Sequence, residues 1–401
     1  MRTQVQNRKT NSSFWLAYCF SILGRFVHGM ALSWVVWRLT ESPLWLSAIA
    51  LLSAVPSLPL APLAGLVADR FHRHLVLLVT QTLGCCIAAS TAYLAYCGAI
   101  TPWVLALLAL CFGIVSSIDG PAMHSMLVEN GDTIEQAVAT QSLAMNVSRV
   151  IAPMLAVFII EVSEPTWCFA FNTLCFIPMI LLMAIAKIPN RTTEKERRES
   201  VSMGVIELFK RYRILREVLP QVACLSVFIM PAVSLLPAIS LKSTELLSFG
   251  SMSSGLGFGA VAAAILMQRD KRLLRKVTTL WMAGWVCCIS FAALPTLETL
   301  ISQWLCASVG GASLTFALSA ANNAIQSHAP AMYRGRFSAM HLAVVLGMVP
   351  IGQLVLGCLA ETWNAQIAIR GCATVALILL VLAAYLANLG HVEEHDNATH
   401  E

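Results

Sequence analysis

Charge is scarce in this sequence. Asp, Glu, Lys and Arg together make up 12% of its 401 residues, about half the share of an ordinary soluble domain. A surface that poor in charge does not solvate a globular protein of this length. A water-soluble enzyme, a disordered chain and a nucleic-acid binder are thereby excluded. Metal-ligand spacings of the CxxC or His/Cys kind are missing, as are a GxxxxGK[ST] phosphate loop and any Ser/His/Asp constellation. The sequence therefore points to no metal, no cofactor, no ATP-driven pump and no enzymatic reaction. The 13 cysteines do not alter that reading. Nearly all lie inside apolar runs, as at Cys19, Cys85, Cys86, Cys111, Cys287 and Cys288, where a thiol behaves as a small hydrophobe.

What the chain has in quantity is apolar length. Hydrophobic residues form 58% of it, in recurring runs of about 20, enough for a helix to cross a bilayer. Proline, glycine and charge divide these runs into twelve spans, at 14–38, 43–67, 75–97, 101–126, 136–160, 165–187, 219–241, 245–267, 276–295, 298–325, 337–360 and 364–389. The first is longer than the about 7–15 apolar residues of a secretory signal, so it is read as a retained span. The expected fold class is an all-α membrane protein.

The basic residues set a direction. If the spans alternate, 21 of the 26 Lys and Arg fall on one side of the membrane. They lie before span 1, after spans 2, 8 and 10, and between Lys187 and Arg216. By the positive-inside rule that side is the cytoplasm, which places both termini there and the protein in the cytoplasmic (inner) membrane. The one long polar segment follows span 6. It divides the chain into an N-terminal six-helix bundle (1–187), a cytoplasmic linker (188–218) and a C-terminal six-helix bundle with a short cytoplasmic tail (219–401). The linker reads as a solvated segment with an amphipathic helix on the membrane surface.

Sliding the chain against itself by 202 residues supports two related halves. Arg70 and Arg73 then meet Arg272 and Arg275, Cys85-Cys86-Ile87 meets Cys287-Cys288-Ile289, and Ser117, Ala122 and Ser125 meet Ser319, Ala324 and Ser327. Parallel repeats of this kind are a transporter architecture, with the substrate site between halves that rock against each other.

Between spans 2 and 3 stands Gly65-Leu-Val-Ala-Asp69-Arg70-Phe-His72-Arg73-His74. This run resembles the signature loop of the major facilitator superfamily. Asp119-Gly-Pro-Ala122 at the end of span 4, Asn146-Val-Ser-Arg149 in span 5 and Arg334-Gly-Arg336 before span 11 resemble its efflux branch, which includes the enterobactin exporter and macrolide efflux pumps. The resemblance implies the major facilitator fold, twelve helices in two pseudo-symmetric six-helix bundles. It also implies a conformational switch built from Gly65, Asp69, Arg70, Arg73, Asp119 and Arg336. Gly65 would let two helices approach closely. Asp69 would accept backbone N–H groups at the N-terminus of span 11, which begins near Arg336, where negative charge is favoured. The family's charge relay would run through Asp69, Arg73 and Asp119. The second half has Lys271 and Ala321 in place of the two acids, so the latch is expected on one side only.

Two arginines lie at membrane depth, where ionisable side chains default to functional hypotheses. Arg25 is roughly 17 Å into span 1 at about 1.5 Å per residue. Ser21, Arg25 and His28 share one helical face, and Ser142, Asn146 and Arg149 repeat that spacing in span 5. Arg25, His28, Asn146 and Arg149 are therefore the candidate substrate-binding residues. They would form an electropositive cavity suited to an anionic or multi-oxygen ligand, because the guanidinium fork pairs with carboxylate bidentately. A second reading keeps both arginines structural, paired with helix carbonyls or with an acid such as Asp119. Many relatives have an acid after the glycine of span 1, where this chain has Gly24-Arg25. That departure favours an anionic substrate over a hydrophobic cation.

The function expected is a secondary active transporter that exports a small, polar, anionic metabolite such as a siderophore. It would use the proton as coupling ion in antiport and act as a monomer in the lipid bilayer. The competing readings are a multidrug or antibiotic efflux pump and, from another class, a non-transporting membrane receptor or scaffold.

Overall fold

The computed structural model describes residues 2–60, 67, 71–130, 133–185, 205–241, 243–270, 277–330 and 333–399. Gly65, Asp69 and Arg70 of the signature loop, and residues 188–204 of the linker, lie outside them. Among the described residues, twelve helices are long and apolar enough to cross a membrane, and they correspond one to one with the spans read from the sequence. They are α1 (Ser12–Thr40), α2 (Pro43–Leu60), α3 (Arg73–Tyr96), α4 (Pro102–Val128), α5 (Thr140–Val162) and α6 (Pro165–Ile185), then α7 (Arg213–Ile239), α8 (Glu245–Arg269), α9 (Thr278–Thr296), α10 (Leu300–His328), α11 (Arg336–Trp363) and α12 (Ala365–Tyr385). With an even number of crossings both termini lie at one end of the bundle, called the near end below. A short helix, Val205–Arg211, precedes α7.

The all-helical form follows from the solvent. A lipid-exposed backbone has no water to bond, so each segment must satisfy its own N–H and C=O groups. Local residues set the ends. Ser42 caps α2, its hydroxyl accepting from the Trp45 amide at 3.3 Å, with Pro43 at the first helical position. Thr299 does the same for α10 through the Ser302 amide. In α7 the α-helix runs only to Phe228, and Met230–Ile239 continues as a 3-10 helix. Pro231 and Pro237 lack the amide hydrogen that an α-helical turn requires, and the helix changes type there.

Packing repeats between the two sets of six. In the first, α1 contacts α5 and α6, α3 contacts α4 and α6, and α2 contacts α4. In the second, α7 contacts α11 and α12, α9 contacts α10 and α12, and α8 contacts α10. Each pairing recurs six helices later, as the 202-residue repeat requires. Two seams join the sets, α5 against α8 and α2 against α11, and they too are equivalent under the repeat. At the far end, opposite the termini, Trp34 of α1 stacks on Phe249 of α8 with centroids 6.4 Å apart. Beside them Arg38 reaches Glu245 at 3.5 Å.

Glycine permits the tightest contacts. A Cβ at Gly259 of α8 would overlap the Ser308 carbonyl of α10, and one at Gly311 of α10 would overlap Leu256 of α8. Gly347 of α11 has nothing within 4 Å of that position. Gly259→Val is therefore expected to cost about 1–3 kcal/mol, the usual penalty of overpacking, and to lower the unfolding temperature of the purified protein. Gly347→Ala should leave it unchanged or raised.

Candidate functional site

The first polar cluster is a buried ionic node. Asp119 of α4 is 2% exposed, and its Oδ2 accepts from Arg25 Nη2 of α1 at 2.7 Å. Its Oδ1 accepts from Thr80 Oγ1 and Gln81 Nε2 of α3, both at 2.8 Å. Ser21 Oγ donates to Gln81 Oε1 at 3.2 Å. Ser21 and Arg25 lie one turn apart on α1 and present one face, onto which α3 and α4 close. The Arg25 guanidinium also lies over the Phe176 ring of α6, 5.5 Å from its centroid. A carboxylate in this setting is tolerable only when paired and hydrogen-bonded. Three donors meet that need, and the pair neutralises the Arg25 charge.

His28, one turn further along α1, is packed between aromatic rings. It stacks on Phe112 of α4 with centroids 6.0 Å apart and meets Phe169 of α6 edge-on at 4.9 Å. It is 8% exposed and sits within the first six helices.

Arg149 has a different setting. It is near the midpoint of α5, is exposed, and holds its guanidinium over the Phe26 ring of α1 at 6.0 Å. No carboxylate among the described residues pairs with it. On its other side α8 approaches so closely that a Cβ at Gly257 would overlap the Arg149 carbonyl. Arg149 is thus a cation at mid-depth, at the junction of the two sets of helices. Asn146 is on the same face of α5 and donates to Ser142 Oγ at 3.3 Å, which orients its amide along that face.

The four candidate binding residues therefore divide. Arg25 joins Asp119 in the node, His28 enters the aromatic packing, and Arg149 and Asn146 stand together at the junction. Of the switch residues, Arg73 opens α3 and Arg336 opens α11, both half-buried. The carboxylate of Asp119 is directed to Arg25, Thr80 and Gln81; the Asp69 end of the expected relay is outside the described residues. Thr80 and Gln81 were not singled out from the sequence. Their signal was there, a polar pair in the middle of an apolar span.

Twelve membrane helices in two related sets of six, meeting at two equivalent seams, define a transporter of the major facilitator superfamily. Residues 6–401 match the family described as transmembrane secretion effector, and the chain belongs to it. It is a secretion and efflux transporter with a small-molecule substrate, and not an enzyme. It is similar to the staphyloferrin A transporter of Staphylococcus aureus (strain NCTC 8325 / PS 47), 22% identical over 376 residues that cover 89% of this chain and 92% of that one. It is also similar to the multidrug efflux pump Tap of Mycolicibacterium fortuitum, 25% identical over 387 residues that cover 91% and 92%. Among solved structures, the nucleoside transporter NupG superposes with a TM-score of 0.74 at 14% identity, over 94% of this chain and 98% of that one. That last likeness is one of fold.

The node yields a stability prediction. Asp119→Ala leaves the half-buried Arg25 without its counter-charge and should destabilise the protein by about 1–3 kcal/mol, less than for a fully buried pair. Replacing both, as in Arg25→Met with Asp119→Leu, should restore most of that loss. Thermal unfolding of the purified single and double variants measures the difference.

Proposed function

We propose that this transporter exports a small, polar, anionic metabolite, a siderophore being the case favoured, by alternating access across the cytoplasmic membrane. The observation that carries the reading is Arg149. It is a cation at mid-depth with no carboxylate paired to it among the described residues, placed where the two sets of helices meet. A substrate carboxylate would find there the planar donor fork that suits it, with the Asn146 amide one turn away on the same face. Neutralisation of Arg25 by Asp119 shifts the binding role toward Arg149. The similarity to a staphyloferrin A transporter agrees with a siderophore substrate.

The rest of the reading concerns orientation and drive. The near end, which carries 21 of the 26 basic residues, faces the cytoplasm. The chain divides at 1–187, 188–218 and 219–401, acts as a monomer, and draws on the proton gradient in antiport. A second reading, a multidrug or antibiotic efflux pump, is favoured by the similarity to Tap; a single exposed cation at mid-depth favours anions instead.

Under iron limitation, a strain lacking this protein should secrete less siderophore than its parent. Equal amounts in the two media would overturn the siderophore assignment. Arg149→Met should reduce transport of the anionic substrate about tenfold or more, on the scale of one hydrogen bond to a charged group. Arg149→Lys should retain part of it. Unchanged transport by Arg149→Met would remove this residue from the binding site.

A further inference from the structure

The α2–α11 seam carries a contact between an acid and a helix start. Glu361 lies in the last turn of α11, and its Oε2 accepts twice from the start of α2: from Ser42 Oγ at 2.7 Å and from the Leu44 amide at 3.2 Å. Ser42 is at the same time the cap of α2, its hydroxyl accepting from the Trp45 amide. One carboxylate of the second set thereby occupies the helix N-terminus of the first, where the free amides and the helix dipole favour negative charge. One turn back, Gly357 of α11 packs against the Ser47 side chain of α2, so the two helices are in close contact beside the acid. Trp34 with Phe249 and Arg38 with Glu245 also cross-link this end, joining α1 to α8.

We propose that Glu361 is the latch that holds the far end closed between the two halves. The bond pairs groups that rocking of one half against the other would separate, and both of its donors are on the opposite half from its acceptor. Rocking opens one end as it closes the other, so loosening this latch favours the conformer that is open at the far end and closed at the near end. A ligand or substitution shifts such an equilibrium only by its differential interaction with the two states, and the Glu361 bonds exist in one of them. The inference holds whatever the substrate, so its test uses none.

Hydrogen exchange of the purified full-length protein in lipid nanodiscs reads both ends at once. In Glu361→Ala, the amides of residues 44–47 are expected to exchange about fivefold faster, and those of residues 140–146, at the near end of α5, more slowly. Ser42→Ala, which removes one of the two donors, should change both regions in the same directions by about twofold. Glu361→Asp should recover part of the wild-type pattern. Faster exchange at 44–47 without slowing at 140–146 would mean that Glu361 merely caps a helix, and the proposal would fall. It would fall equally if neither region changed. The slowing at the near end is the readout that a local structural role does not move.

Discussion

In the hydrocarbon interior no water competes for a polar group, so a charge placed there must find its own partner or face an aqueous cavity. The architecture of the first six helices follows from how one such charge is settled. Arg25, Asp119, Thr80 and Gln81 come from three helices and are tied through a single carboxylate. Helix order, close packing and charge neutrality are met there together. In the second six, bonds between helices run through uncharged groups. Ser234 donates to Gln353 at 2.9 Å, Ser248 to Gln303 at 2.7 Å, and Gln221 to the Leu280 carbonyl at 2.8 Å. Ala321 occupies the repeat position of Asp119. The two halves are related in packing but held by different chemistry.

That difference separates the roles of two arginines that look alike in sequence. Both lie near the middle of a span and both continue a polar face. Only one of those faces is closed over by neighbouring helices. The cation left open is the one beside the seam, where a ligand passing between the halves would meet it.

The number and order of the spans were legible from the sequence because apolar length is a local signal. Membership of a helical face was legible too: Ser21 and Arg25 do share one, as do Asn146 and Ser142. Whether a face meets another helix or a cavity was not. The partner of Arg25 is 94 positions away, and the one-turn spacing of Ser21, Arg25 and His28 says nothing about α4 or the rings of Phe112 and Phe169. The Asp119–Arg25 pairing was one of two readings left open, and only the packing of α3 and α4 distinguishes them. Glu361 was still less accessible, because an acid near a helix end reads as solvated until the far end of another helix is brought to it.

The contact of Gly257 with the Arg149 carbonyl has a mechanical corollary. Gly257 is at the midpoint of α8 and Arg149 near that of α5, so the halves touch at half-height beside the open cation. In a rocking body, displacement grows with distance from the fulcrum, and a group at the fulcrum hardly travels. The seal of Ser42 on Glu361 sits at the tip of the lever and Arg149 sits near its pivot. On the proposed binding role, a ligand held by Arg149 would keep the same cation whichever mouth is open. Its release would then depend on which side admits water to compete for the guanidinium, and not on carrying the guanidinium away.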